Sequence, residues 1–281
     1  MIIDAHQHFW DPARGDYFWM VGEAMAPIAK VLGPEDLAPH LGQHGVSKTV
    51  LVQAAPTIAE TEYLLDIADA TDHVAKVVGW VDFENRDDLL QLERLAKHPK
   101  FVGVRPMIQD LPDAEWMHRQ DVQWGFDAII DLDLTFDALG FPLHLEPFLR
   151  LFKRFPKMRA VVDHCMKPRI RDAGFADWAQ GIERIANETG VFCKFSGLAF
   201  EARAGWNVET LRPYAAHVLE CFGATRLMWG SDWPVINLNG SYEKWFATAT
   251  VLVPETQHSA LFGGTAADFY RINECISANI D

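Results

Sequence analysis

The chain has 281 residues, 49% hydrophobic and 23% charged, a composition typical of one folded domain with a large core and unlike that of disordered or fibrous chains. Its 39 acidic residues outnumber its 25 basic ones, and the formal charge of −14 disfavours nucleic acid and membrane surfaces as partners. Because the sequence has no secretory leader and no apolar run of about 18 residues, we expect a cytoplasmic protein.

Short β-branched or aromatic runs alternate with longer amphipathic runs along the chain. The eight predicted strands occupy residues 1–9, 48–54, 76–83, 101–107, 134–139, 159–165, 191–197 and 226–232. Stretches of helical length lie between them, such as "IAETEYLLDIADAT", "LEPFLRLFKRF" and "VETLRPYAAHVLECFG". Eight such units in about 250 residues predict one α/β domain over residues 1–281, a closed (β/α)8 TIM-type barrel.

Three stretches bear on the details of this assignment. A doubly wound fold would need a glycine-rich turn after the first strand, and "HFWDPARGDY" is not one. The fifth strand is the least defined, because "DAIIDLDLTFDALG" can be divided between helix and strand in more than one way. The first loop, about residues 10–33, is long and rich in Trp, Met, Gly and Pro, which predicts a lid or pocket wall.

The cysteines are widely spaced. No C-x-x-C motif occurs among Cys165, Cys193, Cys221 and Cys275, and two of the four sit in strongly apolar stretches. We therefore expect reduced residues that pack in the core.

Reactive side chains recur where predicted strands end. The first strand carries His6 and His8, which share a face because alternate residues of a strand point the same way. The sixth ends in "VVDHC" with His164, and the eighth in "WGSDWP" with Asp232. In a barrel these ends converge on one face. Alone, His164 could be a core histidine and Asp232 a turn cap, but together they predict a hydrolytic site, where Asp232 takes a proton from water and the imidazoles polarise a carbonyl.

A second set of side chains is predicted to bind substrate. Its members lie near strand ends or in the first loop, and they are Gln53, Trp80, Arg105, Lys194 and Trp19. Arg105, beside a proline-stiffened turn in "GVRPM", suits recognition of a substrate oxygen. Trp80 could equally be core packing, and Lys194 could pair with Asp163 or Asp232. His6, His8 and Asp232 could also hold a single divalent ion such as zinc.

Seven motifs in order resemble a known family. "IDAHQHFWDP", "DYFWM", "GWVDF", "GVRPMIQD", "VVDHCMKP", "CKFSGL" and "RLMWGSDWPV" together resemble the amidohydrolase superfamily, in its amidohydrolase-2 branch of sugar lactonases, from residue 2 to about residue 272. The resemblance implies a (β/α)8 hydrolase that opens a lactone ring, with Asp232 activating water and the three histidines polarising the carbonyl. Binuclear members also use a strand-four Lys or Glu and a strand-five His, and "FVGVRPM" and "LTFDAL" offer neither.

The combined interpretation is a lactonase acting on a neutral sugar lactone with no strictly required cofactor. Two other functions stay open at this point. One is a metal-dependent decarboxylase of the same branch, and the other is a carbohydrate-binding barrel without catalysis. The sequence does not specify the number of subunits.

Overall fold

Eight parallel strands form the centre of the structure, a computed structural model that describes residues 1–273. The strands are β1 (Ile2–Gln7), β2 (Val46–Val52), β3 (Val74–Gly79), β4 (Phe101–Val104), β5 (Thr135–Ala138), β6 (Arg159–Val162), β7 (Phe192–Phe195) and β8 (Leu227–Trp229). Each pairs in parallel with the next. The segment after β8 closes the ring, since the Asp232 amide donates to the His6 carbonyl at 2.8 Å and the His8 amide to the Trp233 carbonyl at 2.7 Å.

Helices surround the strands and follow them along the chain. They are α1 (Pro34–His44), α2 (Ile58–Asp69), α3 (Leu89–Leu95), α4 (Gln123–Asp131), α5 (Leu145–Arg154), α6 (Ala176–Glu188), α7 (Leu198–Glu201), α8 (Val208–Phe222), α9 (Tyr242–Leu252) and α10 (Thr265–Tyr270). Side-chain caps fix several starts: Thr57 accepts from the Glu60 amide before α2, and Asn207 accepts from the Thr210 amide before α8. The predicted (β/α)8 barrel is confirmed.

Seven of the eight strands are shorter than the sequence pattern predicted, and β2 keeps its predicted length but begins two residues earlier. The apolar run predicted as residues 159–165 is a strand only over Arg159–Val162, and the run predicted as residues 226–232 only over Leu227–Trp229. The fifth strand, the least defined in the sequence, lies inside its predicted range. His8, His164 and Asp232 therefore follow the strands rather than belong to them, so loop backbone sets their directions.

The barrel interior has an apolar lower layer. Side chains of several strands form it together with α10, which plugs the end opposite the strand carboxyl termini: Ile3, Ala5, Val50, Val52, Val78, Val161, Met228, Phe269 and Tyr270 are among its members. The Tyr270 hydroxyl points up through this layer and donates to Asp137 Oδ2 at 2.8 Å. Charged side chains thus begin directly above the apolar layer.

The described cysteines are free thiols, as the sequence predicted. Cys165 and Cys193 are buried free thiols, Cys221 is a half-buried free thiol, and Cys275 lies outside the described residues. None of the helices within residues 1–273 combines the length and apolarity that a membrane span requires.

Candidate active site

A cavity opens at the carboxyl ends of the strands. Five of the residues predicted as catalytic or substrate-binding line it: His8, Trp19, Arg105, His164 and Asp232. The first loop supplies Trp19 and Met25 to this lining, in agreement with its prediction as a pocket wall. The loop is held there because the Trp19 indole donates to the Ala54 carbonyl at 2.7 Å.

Asp232 lies at the centre of a ring of imidazoles. Its Oδ1 atom is 3.4 Å from Nε2 of His8, and 3.8 Å from Nε2 of both His6 and His164. The backbone of Asp232 is left-handed, with φ of 57°, which turns the chain sharply after β8 and aims the carboxylate inward. One buried carboxylate therefore faces the Nε2 atoms of three histidines at the cavity.

Neighbouring groups favour the ionised form of Asp232, and burial favours the neutral form of the imidazoles around it. Burial opposes ionisation of Asp232, but the neighbouring His164 and His8 outweigh it and hold the pKa of Asp232 below its usual range. Burial lowers the pKa of His8, and it lowers the pKa of His164 to about 4. At neutral pH the site therefore contains an ionised Asp232, which is the form that accepts a proton.

The orientations of His8 and His164 are fixed through their Nδ1 atoms. His8 Nδ1 lies 2.7 Å from the Val52 carbonyl, which only accepts, so this nitrogen carries the proton and Nε2 keeps its lone pair. His164 Nδ1 lies 2.8 Å from the Ser196 hydroxyl. Both contacts leave the Nε2 atoms directed at the Asp232 carboxylate.

The chain leaves β6 in a strained turn that positions His164. Four consecutive residues, His164, Cys165, Met166 and Lys167, have φ between 49° and 57°. Gly197 packs against this turn: with φ of 72°, a Cβ added there would lie 2.5 Å from the His164 Cβ. A glycine is therefore required at position 197 to leave His164 its place.

His6 lies just behind the cavity lining, between two cations. Its Nδ1 atom is 3.0 Å from the Lys194 ammonium, and its Nε2 atom is 3.3 Å from Arg105 Nη1. Both cations can only donate, and the closer one, the Lys194 ammonium, favours the His6 tautomer with the proton on Nε2, in which the Arg105 contact is not a hydrogen bond. That proton is in turn donated to Nε2 of His8 at 3.2 Å. The two histidines that open the chain thus form one hydrogen-bonded pair, even though the β1 register is irregular between Asp4 and Gln7.

Lys194 belongs to a layer of buried charges beneath the cavity. It donates to Asp137 Oδ2 at 2.5 Å and lies 3.2 Å from Asp163 Oδ1, and all three side chains are fully buried. Burial raises the pKa of Asp137, whereas Lys194 and His6 overcome burial at Asp163 and hold its pKa well below the usual range. Lys194 does not line the cavity, so its position gives no support to the predicted substrate contact.

Two other predicted substrate-binding residues also lie off the cavity wall. Gln53 is fully buried, and its side-chain amide donates to the Arg105 backbone carbonyl at 2.6 Å, while its backbone carbonyl accepts from the Arg105 guanidinium. The Trp80 backbone amide donates to the hydroxyl of Thr61 in α2 at 2.8 Å. Gln53 thus fixes the direction of Arg105, which reaches the cavity and lies 3.2 Å from Asp163.

Sequence reasoning missed three residues of this region. Asp137 is a charged residue inside the short strand β5, and that unusual position was an available signal. Ser196 follows β7 in "KFSGL" and holds His164. Glu201 ends the four-residue helix α7 and lines the cavity, and nothing in the local pattern marks it.

The donor set fits a single divalent ion. His6, His8 and Asp232 each offer one atom within 4.8 Å of the others, which matches a three-ligand zinc site with an open position. Ligation by His6 Nε2 requires its proton to move to Nδ1, 3.5 Å from Asp163 Oδ1. That oxygen is buried and pairs with the Lys194 ammonium at 3.2 Å, but it accepts no hydrogen bond among the described residues and can therefore orient a ligating His6. The adjacent Arg105 and Lys194 cations weaken such binding by repulsion.

Comparison with known proteins places the site in a family. The Amidohydrolase family model matches residues 3–272. An L-fucono-1,5-lactonase of Burkholderia ambifaria is 42% identical over 279 residues, 96% of each chain. An L-fucono-1,5-lactonase of Burkholderia multivorans is 32% identical, covering 99% of this chain and 98% of that protein. A crystal structure of an amidohydrolase from Burkholderia multivorans with bound zinc is 32% identical, with a TM-score of 0.90 and coverage of 97% and 100%. The chain therefore belongs to the Amidohydrolase family.

Proposed function

We propose that the protein is a lactonase that opens a neutral sugar lactone to its hydroxy acid, with Asp232 as the base that activates water. The observation that carries the proposal is the position of the Asp232 carboxylate, 3.4 to 3.8 Å from three imidazoles at the cavity floor. The names of the two Burkholderia relatives make L-fucono-1,5-lactone the first substrate to test.

The first step is attack by water on the ring carbonyl. A water beside Asp232 gives one proton to the carboxylate, and the resulting hydroxide oxygen bonds to the carbonyl carbon. The depressed pKa of Asp232 ensures that the carboxylate is ionised at neutral pH. His8 and His164 border the same oxygen and hold the water in line.

The second step stabilises the tetrahedral oxyanion. Arg105 supplies fixed guanidinium donors beside the cavity, held by Gln53 and Asp163. His6 acts from behind the lining, where its Nε2 contact at 3.2 Å helps to hold the ring of His8 in place. Such preorganised donors gain strength in a buried site, because little water competes with them.

Collapse of the intermediate completes the reaction. The ring carbon–oxygen bond breaks, and the leaving alkoxide takes the proton that Asp232 accepted in the first step. Asp232 is then ionised again, so one residue serves as base and then as acid. No side-chain nucleophile is needed.

A divalent ion is compatible with this scheme without being required by it. If one binds, His6, His8 and Asp232 hold it, and it supplies Lewis-acid polarisation of the carbonyl. The chain already places Arg105 and the Lys194–His6 pair beside the carbonyl position, so we propose that hydrolysis proceeds without a strict metal requirement. We also propose that the protein acts in the cytoplasm.

A pH-indicator screen of lactones tests the proposed function. Only two cationic side chains, Arg105 and Lys167, are among the cavity lining residues in the described chain, which suits a neutral lactone better than a dicarboxylate. We expect acid release from aldono-1,4- or aldono-1,5-lactones, and little from pyrone dicarboxylate. Efficient hydrolysis of the dicarboxylate with inert aldonolactones would overturn the proposal.

A further inference from the structure

One corner of the cavity is polar without serving the proposed reaction. Gln109, Lys167 and Glu201 line this corner, whereas Phe200 and Leu238 give the lining an apolar part. None of the three polar residues is among the hydrogen-bond partners of the Asp232 ring. Their chemistry is therefore available to the part of the substrate that does not react.

Glu201 provides an uncommitted acceptor in this corner. Of the residues lining the cavity, only Glu201 and Asp232 carry a carboxylate. Within residues 1–273, no donor lies within hydrogen-bonding distance of the Glu201 carboxylate, although Lys167 and Arg171 attract it electrostatically. This half-buried carboxylate faces the cavity without a protein donor, so both of its oxygens are available to hydroxyl groups of a ligand.

Lys167 provides donors beside that acceptor. The left-handed turn that begins at His164 ends at Lys167 and brings its side chain to the cavity. The ammonium donates to Gln109 Oε1 at 2.5 Å, which uses one of its three N–H groups and fixes its direction. Two N–H groups remain for a ligand.

We propose that Glu201 and Lys167 determine specificity by recognising the ring hydroxyl groups of the lactone, an inference that rests on the proposed lactonase function. Glu201 accepts hydrogen bonds from two neighbouring hydroxyls, and Lys167 donates to a hydroxyl oxygen. A site built for hydroxyl groups rejects an analogue that lacks them, because its own buried polar groups are then unpaired. The protein therefore prefers polyhydroxylated lactones to bare ones.

The test compares two six-membered lactones that differ in their hydroxyl groups. The probes are an aldono-1,5-lactone and δ-valerolactone, which has the same ring and no hydroxyl. The variants are Glu201→Gln and Lys167→Met, with Glu220→Gln on the exposed face of α8 as the matched control. Values of kcat/KM for both lactones and the melting temperature are measured for each protein.

We expect Glu201→Gln and Lys167→Met each to lower kcat/KM for the aldonolactone by about tenfold or more, chiefly through KM, with a clearly smaller loss for δ-valerolactone. The Glu220→Gln control should match the wild type on both. No loss, or equal losses on the two lactones with unchanged melting temperature, would overturn the inference while leaving lactone hydrolysis in place. A wild-type protein that hydrolyses no lactone would instead refute the proposed function.

Discussion

The ammonium of Lys194 lies 3.0 Å from Nδ1 of His6, and both side chains are completely buried. This contact places a positive charge under the ring of imidazoles around Asp232 and favours one tautomer of the first histidine of the chain. It also joins the ring to Asp137 and Asp163, the carboxylates that neutralise the lysine. The ring of imidazoles around Asp232 therefore rests on a layer of charges that does not line the cavity.

Replacing Lys194 tests the role of that layer. In Lys194→Met, Asp137 and Asp163 lose their ammonium partner while fully buried, so we expect the free energy of unfolding to fall by about 3–5 kcal/mol. Adding Asp137→Asn should recover part of this loss, because one uncompensated charge is removed. Urea denaturation of both variants, with exposed Lys157→Met as control, measures the effect. Wild-type stability of Lys194→Met would show that the layer contributes nothing.

Gly197 offers a test of how closely His164 is positioned. We expect Gly197→Ala to lower kcat/KM by about tenfold or more, since its new methyl group would lie 2.5 Å from the His164 Cβ. Gly205→Ala is the matched control: its φ of 80° is also left-handed, but nothing lies within 4 Å of the added methyl. Both variants lose stability through backbone strain, and only the first should lose activity. Equal activities would mean that His164 tolerates displacement.

The buried histidines predict a defined pH dependence of stability. Because burial lowers the pKa of His164 to about 4, the unfolded chain takes up a proton as the pH falls below about 6.5, and the folded chain does not until about pH 4. This contribution therefore destabilises the fold progressively between those values. Asp4 and Glu60 act oppositely, since burial raises their pKa to about 6 and about 8.

Comparing the wild type with His164→Gln isolates the contribution of His164 to this pH dependence. The unfolding free energies of wild type and His164→Gln are compared by urea denaturation at several values between pH 4.5 and 7.5. We expect the variant to gain stability relative to the wild type as the pH falls. A difference that does not vary with pH would show that His164 protonates equally in both states.

Metal removal tests the proposed independence from a divalent ion. We expect most lactonase activity to survive exhaustive chelation, with metal content checked by mass spectrometry, because Arg105 and Lys194 already supply positive charge beside His6. Zinc is then added back to the same sample as a control. Loss of most activity, restored by zinc or manganese, would contradict this expectation.

The barrel and the convergence of three histidines on Asp232 could be predicted because both leave local patterns. Strand and helix periods alternate eight times, and His6, His8, His164 and Asp232 stand at or just beyond strand ends, where a barrel gathers its reactive groups. Strand lengths were overestimated, since apolar runs continue past the last ladder hydrogen bond into left-handed turns at His164 and Asp232.

The depth at which a side chain lies inside the barrel could not be predicted from the spacing of residues along the sequence. Arg105 lies one residue beyond β4 and reaches the cavity, whereas Lys194 lies one residue before the end of β7 and is sealed below it. A difference of two positions relative to the strand end thus separates a cavity-lining residue from a buried ion pair. Glu201 depends on the path of the chain after β7, which no periodicity encodes.

The kinetics of Asp232→Asn test the central claim most directly. Asparagine suits the left-handed backbone at this position, where φ is 57°, and it keeps the shape of the side chain, so the fold should persist. It cannot accept the proton from water. Values of kcat, lactone binding and melting temperature are measured on one preparation. We predict unchanged folding, retained binding and a kcat lower by about 10² to 10⁴; a folded variant with near-native kcat would remove Asp232 from the mechanism.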